Sequence, residues 1–121
     1  VSILLVGTSY RESSLQELEV LEKKLVEIRR AISSDEGSNQ GIKGSVIVST
    51  CNRFEVYVET ETPEVTSKYI LDRIRFVTGI DNPAIKVSLG SKAITHLFRV
   101  SAGLDSMIVG EVEISGQVKR A

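Results

Sequence analysis

What the chain has little of narrows its class first. Cys51 is the only cysteine, so no internal disulfide can form, and the count fits a reducing, cytoplasmic setting. His96 is the only histidine, and one imidazole with one thiol falls short of a structural zinc site. Neither sign of charge is in excess: 15 Lys and Arg stand against 16 Asp and Glu. No global basic field draws nucleic acid, so any such attraction must come from a local patch. No apolar run approaches the ~20 residues of a membrane span. Residues 1–6 are too few for a signal peptide and lack a basic lead. No Gly-x-Gly-x-x-Gly follows a strand-like run and no Gly-x-x-x-x-Gly-Lys-Ser/Thr occurs; Gly103, Gly110 and Gly116 stand in the wrong context. What remains is an ordinary globule of 121 residues, 41% apolar and 26% charged, long enough for one domain with a real core.

The apolar pattern changes period along the chain. Ile3-Leu4-Leu5-Val6, ended by Gly7, reads as a buried central strand. Ser13 or Ser14 can cap a helix that follows. Leu15, Leu18, Leu21, Leu25, Ile28 and Ile32 then predict an amphipathic helix of about five turns. Its acidic first half and basic second half complement the helix dipole. Residues 33–44 are polar and glycine-rich and read as a surface loop. Residues 45–48 and 54–60 predict an antiparallel hairpin, with Cys51-Asn52-Arg53 near its tip. In its second strand Phe54, Val56 and Val58 alternate with Glu55, Tyr57 and Glu59, implying one buried face and one wetter face.

Thr62-Pro63-Glu64 starts a second helix, Val65, Tyr69, Ile70, Ile74 and Val77 form its stripe, and Gly79 closes it. Residues 84–89 alternate as a fourth strand. Gly90-Ser91 breaks that strand and caps a further helix bearing Ile94, Leu97, Phe98 and Leu104. Nothing terminates the chain at Ala121, which reads as a cut within something longer. The order predicts an α+β, ferredoxin-like split β-α-β fold: an antiparallel four-stranded sheet with two helices on one face, plus a C-terminal helical tail. All of residues 1–121 belong to that single domain.

Chemistry concentrates in Ser49-Thr50-Cys51-Asn52-Arg53, where two strands meet. A lone cysteine is often a buried, inert thiol. Here Arg53 lies two residues on, and a nearby cation favours the thiolate, the form that attacks. A thiolate could take an acyl group as a thioester and split one hard step into two. Thr50 and Asn52 can donate hydrogen bonds. Arg53 suits a carboxylate, which its planar fork can grip in bidentate fashion; an ion pair with Glu55 or Glu59 is the competing reading. His96 is the only imidazole able to assist Cys51, although a lone helix histidine can equally be a surface or core group.

Ser-Thr-Cys-Asn-Arg-x-Glu at 49–55, His-Leu-Phe-Arg-Val-x-x-Gly-Leu-Asp-Ser-Met at 96–107, Gly110-Glu111 and Gly116-Gln117-Val118-Lys119 resemble glutamyl-tRNA reductase. The likeness covers essentially the whole chain and corresponds to that family's N-terminal catalytic domain. It implies a cysteine that attacks glutamyl-tRNA, a thioester reduced with NADPH, and glutamate-1-semialdehyde for tetrapyrrole synthesis. Cys51 matches the nucleophile and Arg53 the reader of the glutamate charge. Thr50, His96, Ser106 and Gln117 match positions lining the substrate pocket, with His96 placed to handle protons. The resemblance further implies an NADPH-binding domain and a helical dimerisation domain, both absent from this chain, a homodimer, and contact with the downstream aminomutase. No cofactor or metal site is expected within residues 1–121.

Tyr10 stands where the family usually has histidine, Glu12-Ser13-Ser14 where it has Thr-Ala-Pro, and Val112-Glu113 where it has Pro-Gln. Two other readings share some of these residues. One is a cysteine hydrolase or acyltransferase using Cys51 and His96; the other is a non-catalytic ferredoxin-like binding module.

Overall fold

The computed structural model describes residues 2–80, 85–104 and 111–114. The expected α+β architecture is present. β1 (Ser2–Ser9), β2 (Gly44–Ser49), β3 (Arg53–Thr60), β4 (Lys86–Leu89) and β5 (Glu111–Ile114) form one sheet in the order β4-β1-β3-β2-β5, antiparallel at every pairing. The first four strands have the split β-α-β arrangement. The fifth, pairing Val46 with Ile114 and Ser49 with Glu111, covers the outer edge of β2. Four residues in a tail carry too weak an alternation to be recognised as a strand before a partner edge is known.

β1 does not stop at Gly7. Its pairing with β3 continues, placing Gly7 opposite Glu55, Thr8 opposite Phe54 and Ser9 opposite Arg53. The first long helix is two. α1 (Leu15–Lys23) and α2 (Leu25–Ile32) meet at Lys24, whose φ of −97° and ψ of 9° lie outside the helical range. The hydrogen-bond ladder runs through the junction, with Lys24 N–H on Val20 O and Ile28 N–H on Lys24 O, so the apolar stripe is kept. Leu18, Leu21, Leu25, Ile28 and Ile32 are buried, whereas Leu15, in the first turn, is 66% exposed. Ser14 is the cap: its Oγ accepts from Glu17 N–H, and Glu17 Oε1 accepts from Ser14 N–H.

The 33–44 loop contains a short helix, α3 (Asp35–Asn39), capped by Ser34. α4 (Pro63–Thr78) begins on proline and ends at Gly79, which takes the left-handed φ of 73°. α5 (Ser91–Leu104) follows Gly90.

Two cores flank the sheet. On one face Leu4, Val6, Ile47, Phe54, Val56 and Val58 meet the apolar sides of α1, α2 and α4. On the other, Leu5, Val48 and Tyr57 meet Ala93, Leu97 and Val100 of α5. The face expected to be wetter is therefore covered: Glu55 is 4% and Tyr57 3% exposed. Alternation reports the chemistry of a strand face, not whether a distant helix lies over it. Among the described residues, no helix is long and apolar enough to cross a membrane.

Candidate functional site

The tip joining β2 to β3 is residues 50–52. Thr50 is 2% exposed, and its Oγ1 accepts from Asn52 N–H at 3.1 Å. Thr50 N–H donates to Arg53 O at 2.9 Å, and Tyr10 N–H donates to Asn52 O at 2.8 Å, tying the turn after β1 to the tip. Held at both sides, the tip presents Cys51 as an exposed thiol. Cys51 borders a hollow of about 330 Å³ against α1, with Leu15, Leu18, Glu19, Glu22 and Lys23.

Arg53 points elsewhere. With Glu55 and His96 it lines an open cleft of about 680 Å³ between β1, β3, β4 and α5. Glu55 is the hub. Its Oε2 lies 2.5 Å from His96 Nε2 and accepts from Arg53 Nη1 at 3.2 Å. Its Oε1 accepts from Tyr57 Oη at 2.9 Å. Arg53 thus donates to one of its oxygens and Tyr57 to the other. Burial first, and then the neighbouring Glu55 charge, push the Tyr57 phenol far above its usual range, so Tyr57 stays a donor. His96 Nε2 faces the same carboxylate and meets it as a donor when it carries a proton.

Space for this hub comes from Gly7. A Cβ there would stand 2.8 Å from both Glu55 Cγ and the Phe54 carbonyl oxygen. Tyr57 and Gly7 had no chemical signal in the sequence, and Glu55 was legible only as a partner of Arg53. The spacing that would have linked Glu55 to Arg53 is their shared strand face.

The cleft is cationic. Arg11, Arg53, Lys86, Lys92 and Arg99 line it against the carboxylates of Glu12 and Glu55. Glu12 spans the rim, accepting from Ser9 Oγ at 2.9 Å and pairing with Lys86 at 3.4 Å. The Ser9 hydroxyl and then Lys86 hold its carboxyl below the usual range.

Of the residues singled out in the sequence, Arg53 and His96 are brought together through Glu55. Cys51 lies two residues from Arg53, at most about 7 Å away at Cα, but on the α1 side of the tip. His96 bonds Glu55, not Cys51. Ser106 and Gln117 lie outside the described residues. Among the described residues, no group of three or more His, Cys, Asp or Glu gathers as metal ligands.

The domain is thus of the ferredoxin-like class, with an exposed thiol at a hairpin tip next to a cationic cleft. Comparison with known proteins makes the class particular. The family model for the N-terminal domain of glutamyl-tRNAGlu reductase matches residues 6–121, and the chain belongs to that family. It is 36% identical over 121 residues to a glutamyl-tRNA reductase of Bacillus cereus, covering 97% of this chain and 27% of that protein. It is 42% identical over 83 residues to one of Nitrosomonas europaea, covering 69% and 20%. The solved glutamyl-tRNA reductase from Methanopyrus kandleri superposes with a TM-score of 0.55 at 31% identity, over 90% of this chain and 24% of that one. The chain thus spans between a fifth and just over a quarter of these relatives.

Proposed function

We propose that this domain carries the thioester-forming step of a glutamyl-tRNA reductase. The Cys51 thiolate attacks the carbonyl carbon of the glutamyl ester. A carbon–sulfur bond forms, the ester bond to the terminal ribose breaks, and the ribose oxygen leaves with a proton as free tRNA. Arg53 grips the side-chain carboxylate of the glutamyl group. His96, with Nε2 held by Glu55, exchanges that proton at Nδ1. Thr50 shapes the tip through Oγ1, and Ser106 and Gln117 are assigned to substrate binding by the family resemblance alone.

The family uses NADPH to convert the thioester to glutamate-1-semialdehyde for tetrapyrrole synthesis. The turn from β1 into α1 does not fit that cofactor. β1 enters α1 through residues 10–14, which hold no glycine, and Ser14 already occupies the helix N-terminus through Glu17 N–H.

One observation supports the reading above the others: Glu55 joins Arg53 and His96 in one cationic cleft, and Arg53 stands two residues from an exposed cysteine. The test is incubation with glutamyl-tRNA followed by peptide mass spectrometry. A glutamyl adduct on Cys51, lost in Cys51→Ser, is expected. A folded wild-type protein that takes up no glutamyl group overturns the proposal. Turnover of simple uncharged thioesters, indifferent to Arg53→Ala, would favour a general cysteine acyltransferase.

A further inference from the structure

Carboxylates inside the cleft match only some of its cations. Arg53 pairs with Glu55, and Lys86 pairs with Glu12. Arg11, Lys92 and Arg99 line the same cleft and make no ion pair with a carboxylate among the described residues. Lys92 and Arg99 stand four residues before and three after His96 on α5, hence on the helix face that carries it to the cleft. The hydroxyls of Ser91 and Thr95 lie on the same lining. Arg11 comes from the turn after β1, its guanidinium 5.6 Å from the Tyr10 ring centre.

A glutamyl group brings one side-chain carboxylate, which Arg53 suffices to hold. Three further cations fit a ligand carrying several negative charges. Resting on the function proposed above, the geometry points to Arg11, Lys92 and Arg99 as the contacts for the phosphodiester backbone of the tRNA strand whose glutamyl side chain enters the cleft while its terminal ester meets Cys51 at the adjoining tip. Such contacts position a nucleic acid without reading its sequence. They also give the domain a local basic field that its net charge of −1 hides. The work is divided: Arg53 reads the amino acid, and the rim holds the strand that delivers it.

The experiment measures binding of uncharged tRNA to the full chain across a salt series. Each phosphate contact contributes roughly 0.7–0.9 to the slope of log affinity against log salt. The triple variant Arg11→Gln, Lys92→Gln, Arg99→Gln is expected to lose about 2 from that slope, with KM for glutamyl-tRNA raised far more than kcat for loading is lowered. Lys92→Arg and Arg99→Lys, which keep the charge, retain the slope. So does Arg73→Gln, a change on α4 across the sheet, where the guanidinium sits over Phe76. Melting temperature checks the fold of each variant. A triple variant with the wild-type slope, while Cys51 is still loaded normally, overturns this inference and leaves the thioester reading standing. Failure of the wild-type protein to load Cys51 overturns both.

Discussion

His96 Nε2 lies 2.5 Å from Oε2 of Glu55, and the two residues are 41 positions apart in the chain. The contact joins α5 to β3 across the second core. Glu55 does this while also receiving Arg53 and Tyr57, so one buried carboxylate orients both polar side chains proposed to meet the substrate.

Replacing that carboxylate with its amide separates shape from charge. Glu55→Gln keeps the volume but presents an N–H₂ where a donor is required to be met by an acceptor. Loading of Cys51 from glutamyl-tRNA should fall by about 10²-fold, the lower end of what a positioned acid–base group contributes. The pH profile of loading should change shape as well, because His96 loses its carboxylate partner. An unchanged rate and profile would remove Glu55 from the site.

Gly7→Ala tests the space beneath the hub. The new methyl would meet the Phe54 carbonyl oxygen, which is backbone and cannot swing aside, as well as Glu55 Cγ. Urea unfolding should show a loss of about 1–3 kcal/mol, as for other overpacked sites. Loading should weaken alongside, since Glu55 must shift. Wild-type stability in this variant would mean that β1 and β3 part more easily here than their register suggests.

Tyr57→Phe removes one donor and keeps the buried ring. The Glu55 Oε1 acceptor is then left unmatched in a place that is 4% exposed. A cost of about 1–3 kcal/mol is expected by denaturant unfolding, since an unsatisfied buried acceptor costs more than a hydrogen bond gains. The effect on loading should be smaller than for Glu55→Gln, because Oε2 keeps Arg53 and His96.

Glu12 predicts an acid-side effect. Its folded carboxyl sits below the usual range because of Ser9 and then Lys86. Its contribution to stability is therefore fully present above the unfolded value and is lost as pH falls through the lower folded value. The stability difference between wild type and Glu12→Gln should be constant near neutral pH and shrink as the solution is acidified below the ordinary carboxylate range. A difference independent of pH down to acid unfolding would contradict the rim pairing.

Periodicity was enough to read β1, the hairpin, the stripes of α1, α2 and α4, and the Gly79 stop, because each depends on neighbours a few residues away. The same local logic marked Cys51 and Arg53 as a reactive corner. It could not show that the thiol opens toward α1 while the guanidinium opens toward α5, since that division depends on which side of the tip each helix lies. Nor could it show that Glu55 is buried. An acid in an alternating strand reads as solvent-facing until another element covers it, and α5, which does so, begins 36 residues later. The cationic cleft has the same origin: Arg11, Arg53, Lys86, Lys92 and Arg99 are scattered through a chain of nearly balanced charge, and only the sheet order and the placement of α5 gather them. Local pattern sets which side of each element is apolar; long-range packing sets which polar groups that arrangement brings face to face.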